Sequence, residues 1–355
     1  MNFACKALVG LCLTFGSVAS VSAQDMKMTY SSYSTPGWAN VQSDLWMLDE
    51  IKKRSNGRIE FETYFGGALM GPRELVPATG QGVLQIANVP AQYTPDLLPL
   101  SDVVQPFITD KIDAASHAFR RLAKTNEALK EEYAKQNLKL LYTQVVSSNI
   151  LVSNKIVKKP EDLAGMRIRA QSTVAEVIKE FGGTPVAMAW SEAVDLFSRQ
   201  GLDGLSSAAF DISVISGTHE VAANYWDFGG AGTWATISTV MNLDTYNNLP
   251  DDLKKIIDDV SLEAEAKYLE LLNKSIDDAV AKVKEAKNLT VTIADDASRK
   301  AISDVAAGAR EKWIEKNEAK GLPARGLMEE YIALVREEEA KSTFVPGLKR
   351  LSTSN

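Results

Sequence analysis

The stretch that most constrains the fold runs from Pro250 to Lys287, "PDDLKKIIDDVSLEAEAKYLELLNKSIDDAVAKVKEAK", with no glycine and no proline after its first residue. Aspartates open it and lysines occupy its last turns, which complements the dipole of a helix. A continuous helix of that length spans on the order of 55 Å at 1.5 Å per residue. A domain built from half the chain is narrower than that, so the segment is expected to bridge two domains.

Upstream of it, strand and helix patterns alternate. "KMTYSSYSTPGW" (27–38) reads as a strand entering a loop, and "SDLWMLDEIKKR" (43–54) puts Leu45, Leu48 and Ile51 on one helical face before "SNG" ends it. "RIEFETYF" (58–65) alternates, and "VLQIANV" (83–89) follows as a strand. A single helix is predicted over 113–136, then strands over 138–146 and 149–154. In 173–183, Val174, Val177, Ile178 and Phe181 form a helical stripe that Gly182 and Gly183 end. A strand at 184–188, a helix at 191–201, strands at 202–210 and 288–294, and two closing amphipathic helices complete the reading. The alternation predicts an α/β fold with largely parallel sheets.

The N-terminus is of another kind. Lys6 is the only charged residue before Asp25, "ALVGLCLTFGSVAS" is apolar and small, and "VSA" (21–23) offers a small-x-small cleavage site. This predicts a signal peptide cut after Ala23 and a periplasmic location; the apolar run is too short and too softly flanked for a comfortable span. Cys5 and Cys12 both lie inside it, so the mature chain of 355 − 23 = 332 residues is expected to be held by its core alone. Losing Lys6 takes the formal charge from −7 to −8, which gives no electrostatic case for nucleic acid or an anionic membrane.

Catalytic patterns are weak. His117 and His219 have no HExxH or GxSxG context, and a triad or metal site needs clustered partners. "GGALMGPR" (66–73) has Pro72 and Arg73 where a phosphate loop needs Lys-Ser/Thr. "GAGTWA" (230–235) matches GxGxxA but leads into the β-branched "TISTVM" and not a helix, so its amides would not form a pyrophosphate cradle. The paired carboxylates read as solvated helix faces and helix starts. No cofactor and no metal are expected, and the chain reads as a binding protein, not an enzyme.

"MRIRA" (166–170) is more informative. As a strand it sends Arg167 and Arg169 to one face, with Met166, Ile168 and Ala170 on the other. Two cations so placed repel, unless one reaches water and the other meets an anion. A bidentate guanidinium suits a carboxylate or similar oxyanion. Pairing with Glu161, Asp162 or Glu176 is the other reading, and the strand by itself does not choose between them.

The order "SNGRIEFETYFGGALMG", "PEDLAGMRIRA", "FGGTPVAMAWSEAVDLFSRQGLDGLSS", "MNLDTYNNLPDDLKKII" resembles the extracytoplasmic solute receptors of TRAP transporters, the dicarboxylate-receptor-like (DctP-type) family, from about Met28 to Ala340. The resemblance implies a two-lobed α/β periplasmic binding protein with a cleft between the lobes, closing around one small organic acid. The long helix would span both lobes. It implies lobes of 24–146 with about 236–272, and 147–235 with about 273–340, leaving 1–23 as signal peptide and 341–355 as a C-terminal tail.

In this family the arginine that ends a "G-x-K-x-R" strand typically holds the ligand carboxylate. Here "GMRIR" puts that role on Arg169 and leaves Arg167 on the solvent side. Trp190 stands where the family has an aromatic packed over the ligand. Ser207, in "DGLSS", stands where a polar residue meets the carboxylate. Asn149 falls near the extra arginine of sialic-acid-binding members, which speaks against that ligand. Ser34, Trp38, Asn88 and Gln92 line the cleft by analogy, and Arg73 is a candidate second cation. Trp234, near a crossover, has two readings: facing the ligand, or a core or hinge role.

The expected ligand is a compact acid, carboxylate or sulfonate, of about three to eight heavy atoms, or a flat aromatic acid stacked on Trp190. Its expected partners are the small and large TRAP permease subunits, with the receptor itself a monomer. A receptor feeding a sensor is the alternative, and a secreted α/β enzyme a more distant one.

Overall fold

The computed structural model describes residues 26–352; the expected signal peptide, and both cysteines with it, lie outside the described residues. The strands of the first half are β1 (Met26–Ser32), β2 (Ile59–Tyr64), β3 (Ile86–Pro90), β4 (Leu138–Val145), β5 (Asn149–Ser153) and β6 (Arg167–Arg169). They are followed by β7 (Thr184–Val186), β8 (Gly204–Ala209), β9 (Asn224–Trp226), β10 (Thr236–Asn242) and β11 (Thr290–Thr292). One sheet has the order β2-β1-β3-β10-β4 and the other β11-β9-β5-β8-β6-β7. The chain therefore passes between sheets more than once: from β4 to β5, back from β9 to β10, and out again along the long helix to β11.

The sheets are mixed, not largely parallel. β1 runs parallel to β2 and β3, and β6 parallel to β7 and β8, as helical crossovers require. β10 is antiparallel to both its neighbours, and so is β5. These are the two strands that enter directly from the other sheet. Without a helix to turn the chain around, they insert in the opposite sense, which local periodicity does not reveal.

The long helix is Asp251–Glu285, 35 residues, with Pro250 as its N-cap. Leu253, Ile257, Val260, Ala264, Tyr268, Leu272, Ile276, Ala279 and Val283 recur at helical spacing and are buried. Its first half packs on the helix Ala39–Arg54 and on β4; further along it meets the helices Phe210–Ile215 and Gly347–Ser352. Tyr268 Oη donates to the Val145 carbonyl at 2.7 Å and Ser275 Oγ to Asp211 Oδ2 at 2.9 Å, so the middle of the helix is tied to β4 and its second half to the helix that follows β8. Past residue 340 the described chain is docked, with Phe344 and Leu348 buried.

The single helix expected over 113–136 is two, Ile112–Thr125 and Glu127–Lys135. Asn126 separates them in extended geometry, and its side chain accepts from Leu129 N at 3.2 Å, which caps a new helix.

The glycines of "GAGTWA" serve the return crossing. Gly232 has φ +66°, and a Cβ there would lie 2.3 Å from the Thr109 carbonyl oxygen. Asn149 N donates to Gly232 O at 2.8 Å and Thr233 N to Thr109 O at 2.9 Å. Close backbone approach, and not phosphate binding, accounts for glycine there.

Candidate functional site

The parallel strands β1, β3 and β6 all end toward the gap between the sheets, where α/β folds place their ligands. A small cavity sits there. From the first sheet come Tyr33 and Trp38, just past β1, and Gln92 and Tyr93, just past β3. From the second come Arg169 at the end of β6, Trp190, Ser207 and Ala209 of β8, and Ile212. The crossings add Val146, Trp234 and Ile237. Val146, Ala209, Trp234, Ala235 and Ile237 form a small apolar cluster of their own, so the crossings also make an apolar wall.

Arg169 is 1% exposed. Its Nε donates to Met188 O at 3.2 Å, and its Nη1 to Ser206 O at 3.1 Å and Ser207 O at 2.6 Å. Its Nη2 donates to Tyr93 Oη at 3.0 Å. Glu161, Asp162 and Glu176 do not pair with it, and among the described residues no carboxylate does. A guanidinium has five N–H donors; four are engaged, all by neutral oxygens. A buried charge without a counter-charge is strongly unfavourable. Arg167, by contrast, is exposed and donates from Nη1 to Gly201 O at 3.1 Å. The strand thus separates its two cations, one to water and one to the cavity.

The grip differs from the bidentate fork expected of an arginine. Backbone carbonyls hold Nε and Nη1, leaving the remaining Nη2 hydrogen. Tyr93, which accepts from Nη2, keeps its own hydroxyl hydrogen to donate. Together they leave two donors, one on the segment past β3 and one at the end of β6.

Of the residues expected from sequence, Trp38, Gln92, Arg169, Trp190, Ser207 and Trp234 line this cavity. Trp190 sets its ring 5.6 Å from the Arg169 guanidinium carbon and donates from Nε1 to Ser216 Oγ at 2.9 Å. Ser207 stands at φ +49°, and its hydroxyl bonds the Gln171 backbone, accepting from N at 2.9 Å. Its carbonyl, not its hydroxyl, does the positioning, by holding Arg169.

Four other residues stand off the cavity. Asn149 joins β5 to β8, accepting from Ala208 N at 3.0 Å. Ser34 accepts from Asn40 Nδ2 at 3.1 Å. Asn88 donates to Asp44 Oδ2 and to Gln144 Oε1, both at 2.9 Å. Arg73 is exposed on an adjoining cavity, lined also by Gln92, Tyr93, Gln171, Lys312 and Lys316. The first three are occupied in holding the wall together.

Asp44 is the centre of that wall. Its carboxylate accepts from Tyr30 Oη at 2.5 Å, Tyr142 Oη at 2.6 Å, Thr239 Oγ1 at 2.6 Å and Gln144 Nε2 at 3.2 Å, besides Asn88. Burial pushes its pKa up to about 6, against the pull of these bonds.

A family model described as bacterial extracellular solute-binding protein, family 7, matches residues 40–317. The chain belongs to that family. This solute-binding protein is similar to the ectoine/5-hydroxyectoine-binding periplasmic protein UehA of Ruegeria pomeroyi, 25% identical over 75% of this chain and 79% of that one. Its fold matches a TRAP solute-binding protein of Rhodoferax ferrireducens in complex with copurified benzoate, at TM-score 0.79 and 24% identity over 89% and 99% of the two chains. A marine metagenome TRAP solute-binding protein in complex with 3-hydroxybenzoate matches at TM-score 0.80 and 22% identity, again over 89% and 99%.

Sequence reading missed Tyr33 and Tyr93 of this solute-binding protein. They form an aromatic chain with Trp38: Tyr33 to Trp38 at 6.0 Å and 86°, Tyr33 to Tyr93 at 5.7 Å and 62°. The signal was present, since each follows the carboxyl end of a strand.

Proposed function

We propose that the protein is the periplasmic receptor of a TRAP transporter, holding one small organic acid at Arg169 and passing it unchanged to the small and large permease subunits. The observation that carries this is the buried Arg169 guanidinium, held by four neutral acceptors and, among the described residues, no carboxylate. The acid's carboxylate takes the remaining Nη2 hydrogen and the Tyr93 hydroxyl. Trp38, Trp190, Trp234 and Tyr33 enclose its body, and Ser207 and Gln92 complete the wall. The proposed lobes are 24–146 with about 236–272, and 147–235 with about 273–340, after removal of residues 1–23. Because the carboxylate touches Tyr93 of one lobe and Arg169 of the other, it binds the closed arrangement better and shifts the population toward it.

Thermal-shift screening against small carboxylates and sulfonates tests this. Binding stabilises by RT ln(1 + [L]/Kd), so a compound at a hundred times its Kd adds about 2.7 kcal/mol. The expected result is a raised Tm with one class of acid, and the compound recovered unaltered by mass spectrometry. Turnover of that compound, or no acid raising the Tm, overturns the proposal.

A further inference from the structure

Among the described residues, two polar atoms of the cavity's lining side chains have no partner. Trp234 Nε1 and Gln92 Oε1 are both buried and unbonded, and both residues line the same cavity as Arg169. Unpaired buried polar groups are uncommon in folded proteins and call for a cause. Trp190, on the same wall, has its indole N–H satisfied by Ser216. Trp226 carries another unpaired indole, but in the core beneath the second sheet, away from the cavity.

The rest of the lining narrows what could meet these atoms. Tyr33, Trp38, Tyr93, Trp190 and Trp234 supply aromatic surface, and Val146, Ala209, Ile212 and Ile237 supply aliphatic surface. The Ser207 hydroxyl is taken by Gln171, and the Arg169 and Tyr93 donors are reserved for the carboxylate. A ligand bearing many hydroxyls would leave most of them against rings and methyl groups. Indole N–H only donates, so Trp234 requires an acceptor on the ligand; Gln92 Oε1 requires a donor. A single hydroxyl is both.

We infer that the ligand is an aromatic monocarboxylate carrying one hydroxyl, its carboxylate on Arg169 and Tyr93 and its hydroxyl on Trp234 and Gln92. This rests on the receptor reading above and adds a polar requirement beyond the carboxylate. A site built to bond a hydroxyl discriminates strongly against the analogue lacking it, because its own buried groups are then left unpaired. An aromatic wall, in turn, accepts a flat ring and rejects a polyhydroxylated one.

Isothermal titration calorimetry with the 2-, 3- and 4-hydroxybenzoates, the methylbenzoates of matching position, and glucuronate tests this. The expected result is that at least one hydroxybenzoate binds at least about tenfold tighter than its methyl counterpart and tighter than glucuronate. In Trp234→Phe that ratio is expected to fall to within about twofold, and in Gln92→Leu to fall in the same direction. Thermal melts confirm that each variant is folded; if Trp234→Phe is not, the wild-type ratios and Gln92→Leu still decide. Methyl counterparts binding as tightly as every hydroxybenzoate overturn the inference, as do glucuronate binding tightest or a ratio unchanged in a folded variant. So does binding only of non-aromatic acids. Those outcomes leave the receptor reading standing, whereas failure of every organic acid to bind strikes the receptor reading itself.

Discussion

Tyr93 Oη accepts from Arg169 Nη2 at 3.0 Å across 76 residues of sequence, joining the segment just past β3 to the end of β6. Tyr93 follows a strand of one sheet and Arg169 ends a strand of the other, and the bond joins them beside the cavity. It sets both the charge and the geometry of the proposed anion site.

Arg169→Ala removes the charge facing the anion, at a cost of roughly 2–5 kcal/mol, and is expected to weaken binding at least about thirtyfold. Tyr93→Phe removes one donor to a charged group, worth about 1.5–3 kcal/mol, and is expected to weaken binding about tenfold or more while preserving the fold. Arg169→Lys also loses affinity, because an ammonium cannot reproduce the planar set of donors bonded to three carbonyls and Tyr93. Arg167→Ala is expected to change little. Calorimetry with the acid found by screening checks all four; wild-type affinity in Arg169→Ala would refute the site.

Trp190 packs on Arg169 as well as on the cavity. Stacking contributes about 0.5–1.5 kcal/mol beyond area burial, so Trp190→Ala should weaken binding less than Arg169→Ala does. The same titrations read this, and a larger loss in Trp190→Ala would show that Arg169 depends on that ring for its position.

Glu265 offers a pH test away from the cavity. It lies on the long helix, and burial raises its pKa to about 7, opposed by Arg120 and Lys124; Arg120 Nε is 3.3 Å from Oε2. An acid whose folded pKa is raised stabilises fully below its unfolded value, near 4.5, and loses that contribution as pH rises through about 7. Relative to Glu265→Gln, the wild type should therefore lose stability between about pH 5 and pH 8, by on the order of 2–3 kcal/mol. Urea melts at the two pH values measure it, and parallel profiles for the two proteins would contradict it.

Gly232→Ala places a methyl against the Thr109 carbonyl at a positive φ. Strain of that kind costs on the order of 1–3 kcal/mol before the clash is counted, so the Tm should fall by several degrees. A differential scanning measurement showing no change would mean that the crossing can shift at no cost.

The proposed closure would have to be absorbed by the helix Asp251–Glu285, which holds no glycine, so bending should be distributed along it or use a local break in its hydrogen bonds. Small-angle scattering should show a smaller radius of gyration on binding. Identical curves with binding confirmed separately would remove the closing motion.

The amino-acid sequence by itself determined what depends on near neighbours along the chain. The apolar period of 250–287, the amphipathic strands and helices, and the odd pairing of Arg167 with Arg169 are local patterns, and so are the motifs that mark the family. Most of these survive, with boundaries moved by a few residues where a cap such as Asn126 intervenes. Only the tertiary structure decided which donors of Arg169 remain, since Met188, Ser206, Ser207 and Tyr93 reach it from separate elements. It also turned Asn88 and Ser34 into the polar wall around Asp44, and left Trp234 Nε1 and Gln92 Oε1 without partners among the described residues. A hydrogen bond forms only where two groups arrive together, and here the groups come from strands that cross between sheets in a sense no local periodicity records.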